Sequence, residues 1–218
     1  VMPNPLALPP LVWTDEGWKM PDGEYVEKKP IVLAAGRLED WHSKGFDLLI
    51  KAWGMLEPEV RKKWTLEIAG KETPKSLAYL KNLCKQYGVE NSVKFLGFRE
   101  DIDKLMQQAS IFVLSSRYEG FGLVLIEAMS QGCACIAADY KGRQKEIFGS
   151  IDNGIAIETE SSTSMTDQLQ LLINDEGERL RLQKNAVQRS SFFSLDNISR
   201  KWNSLLSSLV NSNTTASQ

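Results

Sequence analysis

Two acids eight positions apart, Glu119 and Glu127, bracket a change in the character of the chain. The apolar run Ile111-Phe112-Val113-Leu114 is followed by Ser115-Ser116-Arg117-Tyr118-Glu119-Gly120-Phe121-Gly122, and then by Leu123-Val124-Leu125-Ile126-Glu127-Ala128-Met129. An ionised carboxylate is costly among apolar neighbours unless something donates hydrogen bonds to it. At helical spacing Glu127 has Leu123, Val124, Ser130 and Gln131 beside it, and none of these is a base. A ligand with adjacent hydroxyls, such as a ribose, would satisfy both oxygens. The alternatives are a glutamate at the solvent edge of its helix, or one paired across the fold with a distant base. Glu119 lies in the loop, where it would hold further hydroxyls or simply be solvated.

Gly120, Phe121 and Gly122 lead straight into the apolar helix. Its first amides have no partner within the helix and stand at the positive end of its dipole, a setting that suits an anion. A Gly-x-Gly by itself is weak evidence, since turns often explain it. A second loop, Gly36 to Lys44, carries Arg37 and Lys44 around the start of another helix. Two cations, a helix N-terminus and a glycine that admits close approach suit a diphosphate. Alternatively, Arg37 and Lys44 are ordinary loop charges.

The elements that must position these groups alternate. Apolar runs at Ile31–Ala35, Trp64–Ala69, Val93–Leu96, Ile111–Leu114, Cys133–Ala138 and Gly154–Ile157 read as strands buried on both faces. Between them Phe46, Leu49, Ile50, Trp53 and Leu56 recur at helical spacing. Thr73-Pro74 reads as a cap followed by proline at the first helical position, Asp101 as the cap of a short helix, and Phe121–Gln131 as a helix closed by Gly132. Three helical patterns follow, the last carrying Ile198, Trp202, Leu205, Leu206 and Leu209.

This alternation predicts an α/β fold, a doubly wound Rossmann-like sheet of six parallel strands with helices on both faces. In strand order 3-2-1-4-5-6 the first and fourth strands are neighbours, so the Gly36–Lys44 and Ser115–Gly122 loops face each other at the crevice where ligands bind. Pro-rich residues 1–30 read as a linker or wrapping arm, 31–210 as the binding domain, and 211–218 as a polar, disordered tail.

Composition narrows the function. The 218 residues have 42% hydrophobic content and a formal net charge of -2 from interspersed charges, which argues against nucleic acid and a polybasic membrane anchor. Three cysteines, Cys84, Cys133 and Cys135, suit neither a disulfide framework nor a paired zinc site, and fit core thiols in a reducing compartment. With a single histidine, His42, and no Asp-x-Asp near the crevice loops, no metal or other cofactor is expected. No membrane-spanning run or signal peptide is visible, which predicts a cytoplasmic protein, and the start at Val1 with Pro3-Asn4-Pro5 reads as a piece of a longer chain.

The run Arg117-Tyr118-Glu119-Gly120-Phe121-Gly122-Leu123 through Glu127-Ala128-Met129 resembles the E-x7-E motif of the retaining GT-B glycosyltransferases of family four. Gly36-Arg37-Leu38 with Lys44-Gly45, Val93-Lys94-Phe95-Leu96-Gly97, and Asn153-Gly154 match that family's C-terminal domain in the same order. The resemblance covers most of residues 1–210.

It implies the donor-binding half of an enzyme that moves a sugar from a UDP- or GDP-sugar to a glycan or lipid-linked acceptor, with retention and without a metal. Arg37 and Lys44 would hold the diphosphate, Glu127 the ribose, and Glu119 with the backbone of Gly120, Phe121 and Gly122 the sugar. Backbone around Phe98 and Arg99 would face the base, and Leu123 would sit near the phosphates. Arg37, Lys44 and Glu119 are thus the expected catalytic groups. The acceptor, and any peripheral membrane contact, would belong to an N-terminal half preceding Val1.

The sequence departs from the family pattern at Lys71-Glu72-Thr73, where a second glycine is usual. It departs again at Lys141-Gly142-Arg143-Gln144-Lys145-Glu146-Ile147, where Gly-Gly-x-Pro-Glu-Ile is usual. A GT-B sugar-nucleotide epimerase is an alternative. So is a non-catalytic nucleotide- or protein-binding module with Trp18, Trp41 or Trp53 marking its surface.

Overall fold

Short runs rich in Ile, Val, Leu and Ala have no polar face to offer water, so they pair inside a sheet covered on both sides. The computed structural model describes residues 3–215, with side chains through residue 209. In chain order the elements are β1 (Val12–Thr14), β2 (Gly17–Lys19), β3 (Tyr25–Val26), β4 (Lys29–Ala35), α1 (Trp41–Lys44), α2 (Phe46–Met55), α3 (Pro58–Lys63) and β5 (Thr65–Ala69). Then follow α4 (Pro74–Gln86), β6 (Val93–Gly97), α5 (Ile102–Gln108), β7 (Ala109–Leu114), α6 (Leu123–Ser130), β8 (Ala134–Ala138), α7 (Arg143–Phe148) and β9 (Ile155–Ile157). The last three helices are α8 (Ser162–Asn174), α9 (Glu176–Ser190) and α10 (Leu195–Thr215).

Strands β4 to β9 make one parallel sheet in the order β6-β5-β4-β7-β8-β9. This is the expected 3-2-1-4-5-6, with β4 and β7 adjacent where the order reverses. Period-two alternation divides the core. Val32, Ala34, Ile111, Val113 and Ile136 face one layer with Phe46, Ile50, Trp53 and Leu169, while Leu33, Phe112, Leu114, Cys135 and Ala137 face the other with Leu125, Met129 and Phe193. Trp53 is fully buried, and its indole N–H donates to Ser92 Oγ at 3.0 Å. Trp18 is 4% exposed and Trp41 stacks on Tyr79, so these tryptophans mark packing. All three cysteines are free and buried.

Residues 1–30 differ from the expected arm. They do wrap, since the Leu6 amide donates to Phe193 O and the Leu11 amide to Ser130 O. They also fold a three-stranded antiparallel sheet, β1-β2-β3, too short for its alternation to show in the sequence. The arm ends in an anchor: Lys28 Nζ donates to the carbonyls of Met106 (3.1 Å), Ala109 (3.0 Å) and Gln131 (2.6 Å) at the C-terminal ends of α5 and α6.

Other boundaries also moved. The α6 helix begins at Leu123 rather than Phe121, because Gly122 has φ 80 and turns the chain before the first helical residue. Thr73 caps α4 as expected, in a reciprocal capping box with Ser76. Asp101 holds the cap position of α5, but its carboxylate is drawn off by Arg99, at 2.8 Å to each oxygen. Of the tail expected to be disordered at 211–218, the backbone to Thr215 continues α10, and 216–218 lie outside the described residues.

Candidate active site

The loops leaving β4 and β7 meet at the carboxyl ends of their strands. Gly45, at φ 66, passes so close to Ser115 that a Cβ there would sit 2.0 Å from its carbonyl oxygen. Ser115 Oγ donates to Lys44 O at 2.8 Å, and the Arg117 amide donates to Ser43 O at 2.8 Å. Lys44 and Glu119 join across this seam, with Nζ 3.0 Å from Oε2, both side chains largely buried. Ser116 Oγ donates to the same carboxylate oxygen at 3.2 Å, and the Gly120 amide to the other at 3.1 Å. The Lys44 stem lies against Gly36, where any Cβ would come within 3.3 Å of it.

Among the described residues, the amides of Phe121, Gly122 and Leu123 have no acceptor, and they open α6. Arg143 Nη1 donates to the Gly120 carbonyl and, at 3.4 Å, to that of Glu119, from the segment that departs from the family pattern. Arg37 is two-thirds exposed, and its guanidinium pairs with Asp40 at 3.5 Å.

Glu127 lies one turn further along α6, half-buried between the buried Ile126 and Ala128. Among the described residues no hydrogen bond or ion pair reaches its carboxylate, and burial raises its pKa above the ordinary glutamate value. No distant base pairs with it among the described residues, and its half-exposure fits a place at the solvent edge of the helix as well as a ligand site.

Phe98 and Arg99 follow β6, whose Gly97 carbonyl accepts from the Gly70 amide at 2.8 Å. The Phe98 ring is 70% exposed, and the Arg99 guanidinium is committed to Asp101. Leu123, the first residue of α6, is partly exposed. His42 is exposed, with the edge of Trp41 beside its ring.

Sequence reasoning missed Arg117 as more than a motif letter. Its guanidinium binds both oxygens of Asp47 (2.8 and 2.9 Å), Glu160 Oε1 (3.1 Å) and His42 O (2.6 Å). No spacing in the sequence links positions 47, 117 and 160, so only the fold reveals the group.

With this geometry in hand, the family-level comparison is unambiguous: residues 19–189 match the model of the glycosyl transferases group 1, and the chain belongs to that family, with the Rossmann-like half of a GT-B fold. It is 31% identical over 175 residues to an uncharacterized glycosyltransferase of Haemophilus influenzae, covering 80% of this chain and 48% of that one. It is also 31% identical, over 79% of this chain and 45% of the other, to the Campylobacter jejuni N-acetylgalactosamine-N,N'-diacetylbacillosaminyl-diphospho-undecaprenol 4-alpha-N-acetylgalactosaminyltransferase. Among solved structures, Anabaena Alr3699/HepE in complex with UDP superposes with a TM-score of 0.74 at 28% identity, over 83% of this chain and 49% of that one. The chain spans about half the length of these relatives.

Among the described residues no helix is long and apolar enough to cross a membrane, and no three His, Cys, Asp or Glu side chains converge as a metal site.

Proposed function

We propose that this chain is the donor-binding half of a cytoplasmic, retaining glycosyltransferase that takes a UDP- or GDP-sugar and delivers the sugar to a glycan or lipid-linked acceptor. The observation that carries this is the meeting of Lys44 and Glu119 at the seam between the β4 and β7 loops, beside the amides that open α6 and, among the described residues, have no acceptor, with Glu127 one turn further along that helix. The diphosphate lies between Arg37, Lys44 and the helix N-terminus, the ribose hydroxyls donate to Glu127, and Glu119 meets the sugar.

Breaking the glycosidic bond leaves charge on the diphosphate. Fixed cations and amides stabilise that charge as it develops, with no metal needed in the scheme. A departing phosphate oxygen on the face where the acceptor arrives takes the acceptor's proton, which gives retention. The UDP complex of the Anabaena relative supports a nucleotide-sugar donor, and the name of the Campylobacter relative supports a diphospho-polyprenol acceptor. The acceptor binds a second half, which also carries any membrane contact.

Titration calorimetry with UDP, GDP and their sugars against wild type and Glu127→Ala tests the reading. Binding of one nucleotide series that weakens in the variant is expected. Equal affinity in the variant removes Glu127 from the site.

A further inference from the structure

Arg117 is 9% exposed and ties together the loops that follow three different strands. Its bidentate pair with Asp47 holds the first turn of α2, and its bond to His42 O holds the turn that presents Lys44. Its third arm reaches Glu160, in left-handed backbone (φ 64) between β9 and α8. Its own amide donates to Ser43 O, so both main chain and side chain of residue 117 grip residues 42–47. Two positions further on is Glu119, the partner of Lys44. The Asp47 hydrogen bonds push the Arg117 pKa further above the ordinary arginine range, so this cation stays charged.

Four of its five N–H donors are taken by these partners, and at 9% exposure the group leaves a ligand little approach to the fifth. We infer that Arg117 is a positioning residue for the donor diphosphate: it fixes the spacing between the Lys44 turn and the Glu119 loop, and phosphate affinity depends on it although it touches no phosphate. This rests on the donor-site reading above. The planar, five-donor guanidinium is needed because the three partners lie in different directions, and a lysine ammonium reaches only some of them.

The test uses Arg117→Lys and the double variant Arg117→Met/Asp47→Asn, which strands no buried charge at position 47 and so is expected to fold. Two readouts are taken: nucleoside diphosphate against monophosphate affinity, in the uridine and guanosine series, and amide hydrogen exchange of the ligand-free protein. In the double variant diphosphate affinity falls by about ten- to a hundredfold, the size of a lost charged hydrogen bond to phosphate. Monophosphate affinity holds, Arg117→Lys recovers part of the loss, and exchange at residues 43–45 and 115–120 accelerates.

Equal losses for mono- and diphosphate, or unchanged diphosphate affinity, overturn the inference. If wild type binds no nucleotide, the donor-site reading fails on its own. Exchange then decides the tether, and unchanged protection at residues 43–45 and 115–120 overturns it.

Discussion

Lys44 Nζ rests 3.0 Å from Glu119 Oε2, so the cation assigned to the diphosphate also has an anionic partner on the chain itself. Incoming phosphate competes with that carboxylate or shares its cation. Lys44→Met is expected to weaken nucleoside diphosphate binding by about 1.5–3 kcal/mol, roughly ten- to a hundredfold in Kd, as for a lost charged hydrogen bond. Glu119→Gln is expected to keep or tighten diphosphate binding while abolishing any preference for the nucleotide-sugar over the bare nucleotide. Calorimetry on both variants checks the pair of outcomes. A Glu119→Gln protein that loses both ligands equally would assign the carboxylate to the phosphates instead.

Glu127 makes an opposite pair of demands on stability and binding. Burial raises its pKa, so between the ordinary glutamate value and the raised one the folded chain holds a proton that the unfolded chain has lost. Stability of the ligand-free protein therefore falls as pH rises through that window, and Glu127→Gln should melt higher than wild type at pH 7. The same change removes an acceptor that a ribose needs ionised, so nucleotide affinity should fall in the variant. In wild type, affinity should drop as pH is lowered through the raised pKa. Thermal melts and calorimetry from pH 4 to pH 8, a range chosen around the ordinary carboxylate values, decide it. A variant that melts lower while binding normally contradicts both halves.

Much of this arrangement was legible in the sequence because the decisive signals are local. The apolar runs of β4, β7 and β8 admit one reading, and the 3-2-1-4-5-6 order then brings the Lys44 and Glu119 loops together. Glu127 stood out because its helical neighbours offered no donor. The illegible parts depend on contacts distant in sequence or on elements too short to have a period. Arg117 meets Asp47 and Glu160 only through the fold, and β1 to β3 are at most three residues each. The start of α6 was misplaced by two residues because Phe121 is apolar and continues the helical pattern, whereas the conformation of Gly122 interrupts it.

Lys28 is the arm's anchor, and its burial sets a pH dependence of its own. Desolvation pulls the ammonium from its ordinary 10.5 down to about 8, against the opposing influence of the buried Cys133 and Cys135. Between those two values the unfolded chain holds the proton that the folded chain has released, so stability rises with pH through the window and is flat just below it. Lys28→Met should lose this slope. At pH 7 it should also be less stable by about 1–3 kcal/mol, because three carbonyls lose their donor. Urea unfolding of both proteins from neutral pH upward measures the difference, and parallel profiles would remove Lys28 as its source.

Gly45 is a point of close backbone approach between the two loops, and that approach can be separated from simple backbone preference. Gly45 and Gly88 have nearly the same left-handed conformation, φ 66 and φ 63. A Cβ on Gly88 meets nothing within 4 Å, whereas one on Gly45 would sit 2.0 Å from Ser115 O. Gly88→Ala should therefore show only the conformational penalty, about 1–2 kcal/mol. Gly45→Ala adds a clash with backbone, which only separation of the Lys44 turn from the Ser115–Gly122 loop relieves. It should be the more destabilised of the two and should lose diphosphate binding, while Gly88→Ala binds as wild type does. Equal unfolding energies with intact binding in both variants would mean that the seam tolerates widening, and that the spacing between Lys44 and Glu119 is not what holds the phosphates.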